Sequence, residues 1–201
     1  MDRVVGPWTA GTSYGPILSQ TDLYLLNTDL QLNPILEGKL DNQPLQFHLV
    51  TGFTTSGSRE LAGKDEPATL PRVTQLIVIS RLSPWCTIIK KDTGVTIGDV
   101  CSAIYKEYTD HDITDAEFQT LNARLQEQVK RTAAANFTQL QGPQAGGAWG
   151  YYPPAAAPDR LRRVDWLRER VYFEGLSKDD KYVTSRLGFR APNIFVMDLV
   201  S

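Results

Sequence analysis

Histidine is the most versatile general base near neutral pH, and the chain holds only two, His48 and His111. His48 lies between Phe47 and Leu49, on the polar side of an alternating run, and reads as a structural histidine, either hydrogen-bonded internally or facing water. His111 sits in Tyr108-Thr109-Asp110-His111-Asp112, a polar connection between two helical patterns. Asp110, His111, Asp112 and Asp115 are metal-ligand types. A calcium loop, however, needs glycine at its sixth position and a bidentate acid at its twelfth, and counting from Asp110 those positions hold Asp115 and Leu121. The segment therefore reads as a solvated helix connection, and no metal is expected.

Other chemical motifs fail on spacing. Gly57 to Lys64 has five residues between its glycines where a phosphate loop needs four, and Asp65 stands where a hydroxyl would hold magnesium. Gly52 to Ser58 lacks the Gly-x-Ser-x-Gly arrangement that lifts a nucleophile onto a strained elbow. No nucleophile, base and orienting acid can be assembled from neighbouring residues, so no catalytic residue and no cofactor is assigned. The reading leans toward a protein that is not an enzyme. The alternative is an enzyme or small-ligand binder whose pocket draws together residues distant in sequence.

Two groups of side chains suit binding rather than catalysis. Arg160, Arg162, Arg163, Arg168 and Arg170 form the densest run of positive charge, and guanidinium forks match carboxylates and phosphates. Asp159, Asp165 and Glu169 dilute that run, which also fits a solvated or internally paired face. Trp149, Tyr151 and Tyr152, in a Gly/Pro-rich stretch, and Trp8 and Tyr14, near the N-terminus, are aromatic residues of the kind that anchor interfaces. Folding back onto their own domain is an equal reading for them.

Composition narrows the setting. At 201 residues, with 41% hydrophobic and 22% charged content, the chain suits one globular core with an attached arm. A net charge of -2 and a pI near 5.7 provide no field to gather nucleic acid or an anionic membrane, so nucleic acid is an unfavoured partner and none is expected at a membrane. The first residues carry no basic-then-apolar leader, and no run reaches the roughly 18 apolar residues of a membrane span. A soluble cytoplasmic protein is the expectation. Cys86 and Cys101 lie in apolar patterns and read as buried free thiols. Asn136-Phe137-Thr138 matches a glycosylation acceptor but is discounted without a leader.

The elements that must position these residues centre on Leu76 to Tyr108. Leu76-Ile77-Val78-Ile79 is apolar on both faces, as an interior strand requires. The chain then reverses at Ser83-Pro84-Trp85 and returns as Cys86 to Lys90, predicting an antiparallel hairpin. Thr96 caps a following helix whose stripe is Ile97, Val100, Cys101, Ile104, Tyr105 and Tyr108. Upstream, residues 1–20 read as an irregular arm, Leu45, Phe47 and Leu49 as one face of a strand, and Gly52 to Asp65 as a polar loop. Thr114-Asp115-Ala116-Glu117 is a capping box, predicting a single long helix to about Phe137 through Phe118, Leu121, Leu125 and Val129. Residues 142–158 read as a linker or surface loop. Asp159 is expected to cap a short helix carrying Leu161, Val164, Leu167 and Val171, residues 172–190 to be irregular, and Ile194 to Val200 to end the chain as a strand available to a sheet edge.

Pro67-Ala68-Thr69-Leu70-Pro71, Ser83-Pro84-Trp85, Gly94 to Val100, Ala103-Ile104-Tyr105, Val164-Asp165-Trp166-Leu167 and Phe173-Glu174-Gly175-Leu176 occur in this order. In them the chain resembles a family of uncharacterised domains abundant in mushroom-forming basidiomycete fungi, over roughly Leu30 to Leu176. The resemblance implies no activity and carries over no catalytic residue. Strand, turn, strand and a Thr-started helix are also similar to the opening of ubiquitin-like β-grasp domains, a likeness of fold alone.

The expected fold is α+β: a small, mostly antiparallel sheet with a central hairpin-helix unit, packed by two main helices. Residues 1–22 are the expected arm and 23–201 a single domain with a Gly/Pro-rich loop at 142–158. The expected function is interaction with a protein partner or with copies of itself, as a homo-oligomer.

Overall fold

The computed structural model describes residues 8–11, 15–39, 45, 47–53, 63–141 and 160–201. In chain order the elements are β1 (Ile17–Leu18), α1 (Gln20–Leu26), β2 (Gln31–Leu32), β3 (Phe47–His48), β4 (Gly52–Phe53), β5 (Thr69–Leu70), β6 (Arg72–Val73), β7 (Gln75–Ser80) and β8 (Cys86–Lys90). They continue with α2 (Ile97–Thr109), α3 (Asp115–Gln119), α4 (Ala123–Gln141), α5 (Arg163–Trp166), β9 (Tyr172–Ser177), α6 (Asp180–Leu187) and β10 (Ile194–Val200). The fold is α+β.

Six strands form the main sheet in the order β4-β3-β9-β10-β7-β8. β7 and β8 make the expected hairpin, with Ile77 opposite Ile88 and Ile79 opposite Cys86. β10 enters between β9 and β7, antiparallel to the first and parallel to the second, so the sheet is mixed. The double-sided apolar pattern of β7 follows from this interior place. Leu76 and Val78 join the large core with Val100, Ile104 and Phe195, while Ile77 and Ile79 meet Val183, Ile194 and Val196 of a smaller cluster on the opposite face.

α2 begins as expected: the Thr96 hydroxyl accepts from the Asp99 N–H, and the Asp99 carboxylate accepts from the Thr96 N–H at 3.0 Å. Ile97, Val100, Cys101, Ile104 and Tyr108 are its buried stripe.

Five expectations need correction. The helix starting at Thr114 is broken after Gln119. Thr120 turns its hydroxyl back onto the Glu117 carbonyl at 2.6 Å, the Asn122 side chain caps Leu125 N–H at 2.9 Å, and the Gln126 amide occupies the Leu121 and Phe118 carbonyls. Residues 172–190 are ordered, as β9 and α6; α6 buries only Val183, too little apolar periodicity to be seen in sequence. The strand expected over Leu45 to Leu49 is only Phe47–His48, and the expected loop after it contains β4. The terminal strand, expected to add to an edge of its own sheet or of a partner's, does join its own sheet but in the interior, with both sides occupied by the chain's own strands.

Two short pairings tie the N-terminal part to the sheet's flank. β1 runs parallel to β6, and β2 antiparallel to β5. Arg72 donates to the Gly11 and Gly15 carbonyls at 3.1 and 3.4 Å, anchoring the segment that precedes β1.

Candidate functional site

The residues of the sequence's densest motifs converge around Trp85. Its indole N–H donates to Glu117 at 2.6 Å, its ring meets Trp166 edge-on at 5.2 Å, and the Arg163 guanidinium lies 4.8 Å over it. Arg163 also pairs with Glu107, Trp166 donates to the Leu82 carbonyl at 3.0 Å, and Ser83 shares a 2.6 Å hydrogen bond with the Tyr108 hydroxyl. Burial pushes Tyr108 up to about 12. Burial also pushes the Glu117 carboxyl up, but hydrogen bonds from Thr114 N–H, the Trp85 indole and the Thr114 hydroxyl, with the charge of Arg163, outweigh it and hold the group below its ordinary value. Each of these side chains has an internal partner, although the buried Nε of Arg163 itself makes no hydrogen bond among the described residues. The cluster joins the β7–β8 turn to α2, α3 and α5, and that is the work its residues can do.

The same holds beside it. Asp165 is 1% exposed and accepts from the Asn136 amide and from Arg162 N–H, both at 2.8 Å. Burial raises its carboxyl above the ordinary range, and those two hydrogen bonds oppose the rise. Asn136, the discounted glycosylation acceptor, is spent on this contact. Cys101 is buried and its thiol is pushed up to about 12 by that burial, whereas Cys86 is only half-buried. His48 is 8% exposed; its Nδ1 lies 3.2 Å from Val50 N–H and 3.3 Å from Thr51 N–H, accepting from both, and burial lowers its pKa. His111 is exposed, near Glu107 at 4.0 Å. Among the described residues no group of three or more His, Cys, Asp or Glu side chains is placed to hold a metal.

Of the binding residues expected from sequence, Arg163 is held by Glu107 and Trp85, and Arg160 reaches Asp112 at 3.5 Å from an exposed position. Arg162 offers its backbone N–H to Asp165. Trp8 is half-buried. Tyr14, Trp149, Tyr151 and Tyr152, with the whole 142–158 stretch and Asp159, lie outside the described residues.

The sequence reading missed a surface built by α1. Ser19 starts this helix through a reciprocal box with Asp22, whose carboxyl is held low by the Ser19 hydroxyl and N–H, and Asn27 ends it in the left-handed conformation, φ 44°. One turn inward, Leu23 is buried. Tyr24, Leu25 and Leu26 are 83%, 72% and 62% exposed, three consecutive large apolar side chains without cover among the described residues. Beside them a groove of about 510 Å³ opens between α1 and the residues flanking α6. Leu23, Tyr24, Ala191 and Pro192 are among its apolar lining; Lys178 pairs with Asp29 at 3.2 Å, and Arg190 with Asp180 at 3.6 Å, on its polar side. The lining residue Gln20 is held by buried Asn193, which donates to it at 2.6 Å and to the Gln75 carbonyl at 3.0 Å. Both cations are engaged by carboxylates, the lining holds no histidine or cysteine, and the groove's surface is mixed, somewhat more polar than apolar. The signal in sequence was Leu23-Tyr24-Leu25-Leu26 itself, a run too apolar for one face of a seven-residue helix to bury.

Among the described residues no helix is long and apolar enough to cross a membrane. Neither a curated protein nor a solved structure matches the chain. Residues 40–183, more than half of its length, match the profile of a family of unknown function, DUF6699, a span that takes in the Trp85 cluster and leaves out α1 and β10. The chain therefore belongs to this family of unknown function.

Proposed function

We propose that this chain is a non-enzymatic intracellular domain that works by binding another protein, with α1 and its groove as the contact. The observation that carries the reading is the triplet Tyr24, Leu25 and Leu26, exposed side by side next to a groove of about 510 Å³. Water contact of that much apolar surface is unfavourable by roughly 25 cal/mol per Å², and a partner that covers it recovers this energy. An exposed apolar triplet beside a groove of mixed lining and ion-paired rim combines the apolar centre and polar rim of a protein interface. Trp8, Tyr14, Trp149, Tyr151 and Tyr152, and the arginines Arg160, Arg162 and Arg163, are kept as further contact candidates.

The origin in mushroom-forming fungi and the cytoplasmic setting belong to the same proposal. So does the ubiquitin-like β-grasp likeness, supported by the run of hairpin, helix and two return strands in the order β8-β7-β10-β9. That likeness is one of fold and carries no activity.

A photo-crosslinking amino acid at Leu25, in the full chain expressed in its native cells, tests the reading. One discrete crosslinked protein species is expected, lost when Tyr24→Lys is added, while the circular dichroism of the purified variant stays unchanged. Crosslinking to no protein, or a species indifferent to Tyr24→Lys, would sink it. A small-ligand role for the groove would instead show as a ligand retained through purification and released by Tyr24→Lys.

A further inference from the structure

The two edges of the main sheet differ. Among the described residues β4 is two residues long, whereas β8 presents five residues in unbroken register with β7. The phase of its backbone groups follows from two hydrogen bonds. Lys91 N–H donates to the Thr74 carbonyl at 2.8 Å, and Ile77 N–H donates to the Asn193 carbonyl at 3.0 Å, on the β10 side. Alternation along the strands then turns the N–H and C=O groups of Thr87 and Ile89 toward β7, and those of Cys86, Ile88 and Lys90 away from the sheet. Among the described residues these outward backbone groups have no partner.

Edge strands are normally guarded by proline, bulges, charge or a covering element. β8 contains no proline and no bulge. Of the two lysines at its end, Lys91 is turned aside, its ammonium held by both Asp99 oxygens at 2.8 Å. Lys90 alone stands on the edge, and Ile88, at the strand's midpoint, is 56% exposed.

We propose that β8 pairs with β8 of a second copy of this chain, antiparallel about a two-fold axis at Ile88. In that register Ile88 faces Ile88 as a hydrogen-bonded pair, and each Cys86 faces the other copy's Lys90. All outward groups of the three residues are then satisfied, and the two exposed isoleucines cover one another. The register is also the one the charges favour: each Lys90 meets a neutral Cys86, never another lysine. A net charge of -2 per chain opposes such an approach only weakly. The contact is of the self-complementary kind that closes at two copies. It uses an edge distinct from the α1 surface and stands or falls apart from it.

Sedimentation of the full chain across concentration is the first measurement, with a monomer–dimer equilibrium expected. Ile88→Lys sets two like charges across the axis and raises the dimer dissociation constant by roughly a hundredfold. Tyr24→Lys leaves it unchanged. Paired residues at such a position have Cα atoms about 5.5 Å apart, within disulfide range. Under mild oxidation Lys90→Cys is therefore expected to crosslink to Cys86 of the partner subunit and to lose the crosslink when combined with Cys86→Ser. This second variant keeps the register testable should Ile88→Lys fold poorly. A monomer at every concentration, a dimer indifferent to Ile88→Lys, or a Lys90→Cys crosslink that persists without Cys86 would each overturn the proposal.

Discussion

His48 shows how a residue type that invites a catalytic reading is used for packing. Its ring sits edge-on to Tyr172 at 4.6 Å, and its Nδ1 must keep a lone pair to accept from Val50 and Thr51 N–H. Protonation would turn that acceptor into a donor facing two donors. The folded-state pKa is accordingly lowered from 6.5 by burial. A depressed pKa means that the contribution of neutral His48 to stability is complete above pH 6.5 and is lost as the pH falls through the folded value. His48→Asn places an amide oxygen near Nδ1 without a titrating ring. Urea unfolding followed against pH is expected to show the wild type losing stability below pH 6.5 more steeply than the variant. Parallel profiles would refute this role.

Elements here are placed by close backbone approach as much as by apolar stripes. Gly38 has φ +68°, and a Cβ added to it would strike the Glu174 carbonyl oxygen of β9; Gly175, across that contact, would bring a Cβ to 3.0 Å from the Glu37 carbonyl. The Leu36 carbonyl accepts from Leu176 N–H at 2.6 Å in the same place. Gly188 shares the left-handed conformation, φ +80°, but has open space around it. Gly38→Ala is therefore expected to cost about 2 kcal/mol or more, and Gly188→Ala about 1 kcal/mol, the backbone part alone. Equal losses in denaturant unfolding would show that contact with β9 contributes nothing.

The break between α3 and α4 belongs to the same scale. Thr114 to Glu117 correctly marks a helix start, and the buried Val129 belongs to a helix. What periodicity does not register is that Thr120, Asn122 and Gln126 spend their side chains on backbone groups, which ends one helix and begins another.

For the whole molecule, β10 holds together parts made far apart in the sequence. Ile194, Phe195, Val196, Met197 and Leu199 are buried, and the strand joins β9 to the β7–β8 hairpin. At about 1.5–3 kcal/mol for each large apolar side chain, their removal matches the roughly 5–15 kcal/mol that stabilises a domain. Ending the chain after Arg190 is expected to abolish the cooperative thermal transition; a truncated chain that still melts sharply would show the hairpin and β9 to be self-sufficient.

The features legible in the sequence are those whose energetics are local. The Ser83-Pro84 reversal, the Thr96 and Thr114 caps, the stripe of α2 and the two-faced pattern of β7 each depend on residues within a few positions, so their types and spacing carry the information. Strand partners, by contrast, are chosen by contacts between distant segments, and nothing in Ile194 to Val200 records that β9 and β7 will flank it. α6 buries one residue and is a helix because Asp179 caps it and Arg186 and Tyr182 reach the Ser80 carbonyl. Tertiary structure alone decided that Leu23 turns inward while Tyr24, Leu25 and Leu26 stay in water, and that β8 ends the sheet with its outward backbone groups unpaired among the described residues. An apolar residue is drawn to burial wherever it lies, but only the finished packing determines which of them are left outside.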